Sequence, residues 1–195
     1  VGGNSGEIAM HTMHPTLLIG PSDWTSQRLP HELYAQRLAA LWADHPHAGG
    51  AIVYGDPQDH AALAYLTHFT PKLESAVALI PKEGKPRLLV GGGATMIDAA
   101  RPLTFIDELA PLRDLGAAVA EWSRQLPKDT EAVVLNIEAM PLLRHAAVRD
   151  GLGGRMAVNG DAPLAARMRI KSASELVLMR QAGDRKSTRL NSSHR

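Results

Sequence analysis

Along the chain the spacing of apolar residues changes repeatedly, and each change predicts an element. Residues 15–24 (PTLLIGPSDW) form a short apolar run closed by Gly20 and Pro21. Leu33, Arg37, Leu38, Leu41 and Trp42 then form a stripe at helical spacing. Pro30 suits the first turn of that helix, and Pro46, Gly49 and Gly50 are expected to end it. Residues 51–54 (AIVY) predict a strand running into a Gly55-Asp56-Pro57 turn, and residues 60–65 a short helix. Residues 75–80 (SAVALI) and 87–90 (RLLV) predict two strands joined by the hairpin-type connection PKEGKP. A helical turn is expected near residues 96–100, and a further short strand at Phe105-Ile106.

Over residues 112–126, Leu115, Val119, Trp122 and Leu126 line one helical face. Residues 132–137 (AVVLNI) predict a buried strand, 141–148 a helix with Pro141 in its first turn, and 155–158 a weaker strand. Strands alternating with helices predict an α/β domain, a mixed sheet flanked by helices. Near the end, Ser172 and Glu175 have the spacing of a capping box, so a new helix is expected to start there with Leu176, Met179 and Arg180.

The composition of the 195 residues, 45% hydrophobic and 21% charged, is that of a globular chain rather than a disordered one. Absence of cysteine excludes disulfides, thiolate metal sites and thiol catalysis, and fits a cytoplasmic protein. A formal net charge of +1 without a clustered basic excess argues against a nucleic-acid binder. No apolar run has the length of a membrane helix, so no membrane partner is expected.

The basic excess also has a local origin. Residues 184–194 (DRKSTRLNSSH) resemble the translation of a common short-read sequencing adapter, so residues 184–195 are expected not to be natural sequence. That stretch carries four basic residues and one acidic residue; without it the chain holds 17 basic and 19 acidic residues and is mildly acidic. The sequon Asn191-Ser192-Ser193 then loses its meaning. Residues 1–12 are treated as a leader of uncertain origin, because the chain opens on Val1 and Met10 or Met13 could each be a start.

Candidate chemistry is sparse. Gly91-Gly92-Gly93 follows a strand, but Met96 stands where a dinucleotide fingerprint needs its last glycine, so a plain turn is expected. His31-Glu32 lacks the second histidine of a zinc motif, since Ala35 occupies that place. The pairs His11/His14 and His45/His47 are expected as exposed loop histidines. Asp56 and Asp59 flank a turn and are expected to cap rather than to catalyse. Trp42 and Trp122 are expected in the core, and Trp24 at a domain edge or a subunit interface.

Three ordered stretches carry a resemblance. Residues 29–41 (LPHELYAQRLAAL) lead to Tyr54-Gly55-Asp56. Residues 64–69 (AYLTHF) precede Glu74 and the paired strands. Residues 168–172 (MRIKS) lead to Glu175, Leu178 and Met179-Arg180. Together they resemble the amino-terminal domain and domain junction of the creatinase/prolidase/aminopeptidase P, or pita-bread, family. On that basis residues 13–165 are the amino-terminal-like domain. Residues 166–183 are the junction and first helix of a catalytic domain whose remainder lies beyond the chain.

The resemblance implies a parent that hydrolyses Xaa-Pro peptide bonds or a related small amide. Two divalent metals (Mn, Co or Zn) would be held by two Asp, one His and two Glu of the catalytic domain, none of which maps onto this chain, so the chain itself is expected to be inactive and to need no cofactor. It further implies a homodimer in which the amino-terminal domain helps wall the substrate cleft, with Tyr65, Thr67, His68 and Phe69 as the candidate cleft residues. His68 stands where the family usually has glycine. A strained turn and a substrate-contacting histidine are both open readings of that departure. Also open are a metal-independent creatinase-like amidinohydrolase and a stand-alone α/β ligand-binding or interaction module.

Overall fold

The computed structural model describes residues 13–14, 17–18 and 29–192, which fall into two compact units. The smaller includes a two-residue ladder, β1 (Met13–His14) antiparallel to β2 (Leu17–Leu18), and the helix α7 described below. Apart from Leu17 and Leu18, the apolar run at 15–24 lies outside the described residues, as do the leader, His11 and Trp24.

The larger unit, His31–Lys171, is built on a six-stranded sheet. In chain order it comprises α1 (His31–Asp44), β3 (Ala48–Gly55), α2 (Ala61–Thr67), β4 (Ala76–Pro81), β5 (Arg87–Val90) and α3 (Ala94–Ala100). After a 3₁₀ turn (Arg101–Leu103) follow β6 (Glu108–Pro111), α4 (Leu115–Gln125), β7 (Glu131–Leu135), α5 (Leu142–Leu152), β8 (Ala157–Asn159) and α6 (Asp161–Arg169). The strand order is β6-β5-β4-β3-β7-β8. Only β4 runs against its neighbours; β5 and β6 are parallel, as are β3, β7 and β8.

Strand alternation splits the core into two layers. Ala51, Val53, Ala78 and Leu135 pack on one face with Leu41 of α1, Leu63 and Leu66 of α2, Ala100 of α3 and Leu164 of α6. Ile52, Tyr54, Val77 and Val134 pack on the other face with Val119 and Trp122 of α4 and Val148 and Leu152 of α5. Each fully buried Val, Leu or Ile contributes about 1.5–3 kcal/mol, and the central strands β3 and β4 supply Ile52, Val53, Val77, Leu79 and Ile80. Trp122 is therefore a core residue, and Trp42 is half-buried against the first layer.

Several boundaries differ from the sequence expectation. Gly49 and Gly50 do not end a segment: they lie inside β3, whose eight residues are all buried. A Cβ on Gly50 would come within 2.6 Å of Trp122 Cζ2 and 2.8 Å of the Ile80 carbonyl, so glycine is required by close approach. Gly49 sits where the β3–β7 register slips by one residue. The strand expected at 105–106 forms instead at Glu108–Pro111. Ile106 turns inward and Phe105 is half-buried against the same layer, while the Thr104 hydroxyl accepts from Ile106 N–H (3.2 Å) and donates to the Thr67 carbonyl (2.8 Å). Helix α6 was not expected; Pro163 and its single buried leucine, Leu164, leave too narrow an apolar stripe to read.

Arg155 ties one margin of the unit together. Its guanidinium donates to the carbonyls of Ser123 (3.0 Å), Pro127 (3.0 Å) and Thr130 (2.7 Å) and to the hydroxyls of Ser123 (3.2 Å) and Thr130 (2.7 Å). Carbonyls at the end of α4 and in the following turn thus find a donor they would otherwise lack. Beyond Ile170 the capping box forms as its spacing predicts. Ser172 N–H donates to the Glu175 carboxylate (2.8 Å) and Glu175 N–H to the Ser172 hydroxyl (3.2 Å). Helix α7 (Ala173–Ser192) starts there and runs for 20 residues, through a stretch without proline. The units divide between Lys171 and Ser172.

Candidate functional site

The parallel strands β3 and β7 lie side by side, and their chains leave toward opposite faces of the sheet: β3 into α2 on the first layer, β7 into α5 on the second. In open α/β sheets that divergence makes the crevice where ligands usually bind. Here the protein's own side chains fill it. Asn136 sits immediately after β7 with φ of 61°, and its amide donates to the carbonyls of Asp59 (3.0 Å) and Tyr54 (3.3 Å). The Asp161 carboxylate accepts the backbone N–H of Asn136 (2.5 Å) and of Ile137 (3.3 Å). Two successive N–H groups aimed at the two oxygens of one carboxylate form an anion nest, and Asp161 is its occupant.

Asp56 organises the next turn. One carboxylate oxygen accepts from Gln58 and Asp59 N–H, both at 2.8 Å, and the other accepts from the Tyr54 hydroxyl at 3.2 Å. Asp56 thus caps the turn as expected, whereas α2 itself begins after His60 with no side-chain cap, so neither Asp56 nor Asp59 caps that helix. Burial alone would raise Asp56, but the N–H groups of Asp59 and Gln58 and the Tyr54 hydroxyl outweigh it and hold the carboxyl below the ordinary carboxylate value. Burial, reinforced by the Asp56 charge, pushes the Tyr54 phenol above its usual value.

The four candidate cleft residues divide into two kinds. Thr67 is fully buried, its hydroxyl donating to the Leu63 carbonyl at 2.6 Å and accepting from Phe69 N–H at 3.2 Å. Phe69 is buried in the first core layer. These two shape the turn rather than line a surface. Tyr65 and His68 are half-buried and reach the exterior. His68 ends α2 in the left-handed conformation, φ 64°, donating its N–H to the Ala64 carbonyl. Histidine therefore keeps the backbone that glycine would favour there.

Arg37 stands behind this turn. It belongs to the apolar stripe of α1 and is correspondingly buried. Its guanidinium lies 3.9 Å from the Tyr65 ring centre and donates to the Tyr65 carbonyl at 2.7 Å. Tyr34 lies 5.8 Å from the His68 ring and 4.7 Å from Phe105. An aromatic and cationic cluster thus holds the end of α2 on α1.

The histidine expectations are partly corrected. His47 is exposed, but His45 is buried, because it closes the last turn of α1 beneath the start of α6. Gly92 and Gly93 take positive φ and form a turn before the seven-residue α3. Among the described residues no group of three or more His, Asp or Glu gathers as metal ligands. The described residues therefore do not offer the ligand set of a metal pair. Among the same residues no helix is long and apolar enough to cross a membrane.

No family model and no curated protein matches the chain. Solved structures do match. Dipeptidase PepE from Mycobacterium ulcerans superposes with a TM-score of 0.55 at 19% identity, over 76% of this chain and 40% of that one. The Xaa-Pro aminopeptidase (aminopeptidase P) structure from Streptococcus thermophilus gives 0.54 at 14% identity, over 71% of this chain and 98% of that one. The prolidase from Pyrococcus horikoshii OT3 gives 0.53 at 12% identity, over 72% of this chain and 37% of that one. Over 71–76% of its length the chain shares the fold of these Xaa-Pro peptidase structures. At these identities the likeness speaks for the fold, and the chain spans well under half the length of PepE and of the prolidase.

Proposed function

We propose that this chain is the non-catalytic amino-terminal domain of a hydrolase of the creatinase/prolidase/aminopeptidase P family, with the opening helix of its catalytic domain attached. The parent acts on Xaa-Pro peptide bonds, with a pair of divalent metals held by residues carboxy-terminal to Gly183, and works as a cytoplasmic homodimer. The observation that carries this reading is the coincidence of the Xaa-Pro peptidase fold, shared over 71–76% of the chain, with a formed capping box at Ser172, directly after the sheet-bearing unit 31–171. Within the domain, the turn carrying Tyr65 and His68 faces the substrate cleft, and Thr67 and Phe69 hold it from inside. The filled crevice between β3 and β7 supports a walling role, since the fold's usual ligand place is taken by Asp161.

The test compares this chain with the longer product obtained by reading the gene on beyond Gly183. Both are assayed on an Xaa-Pro dipeptide with Mn²⁺. Proline release by the longer product alone is the expected result. Release by this chain alone, or a longer product that leaves the dipeptide intact, overturns the proposal. Metal-independent turnover of creatine by that product would move the parent to the amidinohydrolase branch.

A further inference from the structure

Away from the turn and the filled crevice, a groove of about 510 Å³ opens along the first turns of α1. That volume falls in the range of small-ligand and side-chain sites. Its aromatic wall is made by His31, Tyr34 and Phe105, with the Phe105 ring 5.6 Å from His31 and 4.7 Å from Tyr34. Tyr34 is buried behind the others, so Phe105 and His31 present the accessible rings.

The rim is acidic. Glu32, Asp107 and Glu108 line it against Lys85. Glu108 is already engaged by Arg87 at 2.5 Å, and Arg87 also reaches Glu121 at 3.2 Å. Glu32 and Asp107 are exposed and make no ion pair among the described residues. An occupant must therefore offer a flat face to the rings and positive charge to two carboxylates.

We infer that this groove binds a basic peptide segment, an arginine side chain lying over the Phe105 and His31 rings with its guanidinium bonded to Glu32 and Asp107. The guanidinium is planar and weakly hydrated, stacks on aromatic faces, and offers paired donors matched to a carboxylate. A compact, strongly hydrated cation gains less here, because no cage of oxygen ligands surrounds the wall. Acidic peptides and nucleic acid meet like charge at the rim. The inference rests on this groove alone and does not require the peptidase reading.

The experiment is an amide NMR titration of the full chain with the capped peptide acetyl-Gly-Arg-Gly-Arg-Gly-amide, with citrulline replacing both arginines as the control. Citrulline keeps the shape and removes the charge. Expected are shifts at residues 31–38 and 105–108 that saturate at roughly millimolar peptide and weaken with salt. Binding should fall by about fivefold or more with the citrulline peptide, and equally for the double variant Glu32→Gln/Asp107→Asn. Both variant positions are exposed, so the fold should survive, and the citrulline arm needs no variant at all. No shifts at these residues, or equal binding of the citrulline peptide, overturns the inference.

Discussion

Position 68 concentrates the residue-scale questions. A histidine with φ of 64° closes α2, a conformation that costs a non-glycine residue about 1 kcal/mol. Its contact with Tyr34 at 5.8 Å offsets part of that cost. Replacing His68 with glycine is expected to raise thermal stability by about 2–4 °C in a melting experiment, the shift that roughly 1 kcal/mol gives in a domain of this size. A fall in melting temperature would show that the ring contact outweighs the backbone strain. Asp56 makes a pH prediction. Its pKa is lowered in the folded state, so its contribution is present above the unfolded value near 4 and is lost as pH falls through the folded value. Asp56→Asn should cost about 1–2 kcal/mol at pH 7. That deficit should shrink below about pH 4 in urea melts recorded across pH. The sequence carried part of this. The cap at Asp56 was legible from the turn residues beside it. Arg37 stood in an apolar stripe, and the stripe was right about its burial. The occupancy of the nest by Asp161 was not legible, because its partners, Asn136 and Ile137, lie 25 and 24 residues away in the chain.

At the scale of elements, β3 shows why local signals mislead. Two adjacent glycines after a helix read as a terminator, yet at position 50 glycine is what lets Trp122 lie against the strand. Gly50→Ala is expected to cost about 2 kcal/mol or more, since one neighbour is an indole in the core and the other a backbone carbonyl that cannot move aside. Denaturant unfolding of the variant would measure it. A loss under about 0.5 kcal/mol would mean that the tryptophan shifts freely. The segment 104–108 misled in the opposite direction. Phe105-Ile106 has strand composition, but Thr104 bonds to Thr67 across 37 residues, Ile106 turns into the core and Phe105 stays half-buried against it, delaying the strand to Glu108. The capping box at Ser172 was legible because both partners lie within four residues.

For the molecule as a whole, the class was written in the alternation of elements, whereas the strand order was not. A hairpin between residues 76–81 and 87–90 could be foreseen from its connection. The parallel pairing of β3 with β7 joins segments separated by β4, β5, β6, three α-helices and a 3₁₀ turn, and no local pattern announces it. The same pairing sets the order in which the sheet can be completed. β3, β4 and β5 are joined by short-range antiparallel ladders and can assemble as soon as they are synthesised. One side of β3 must then wait for residues 131–135, and β3 is the strand with eight buried residues in a row. Until the ribosome delivers β7, the nascent chain carries an open, apolar sheet edge, the surface most prone to pairing with another copy of itself. Chaperone demand during synthesis should therefore peak in that interval and fall once β7 has docked.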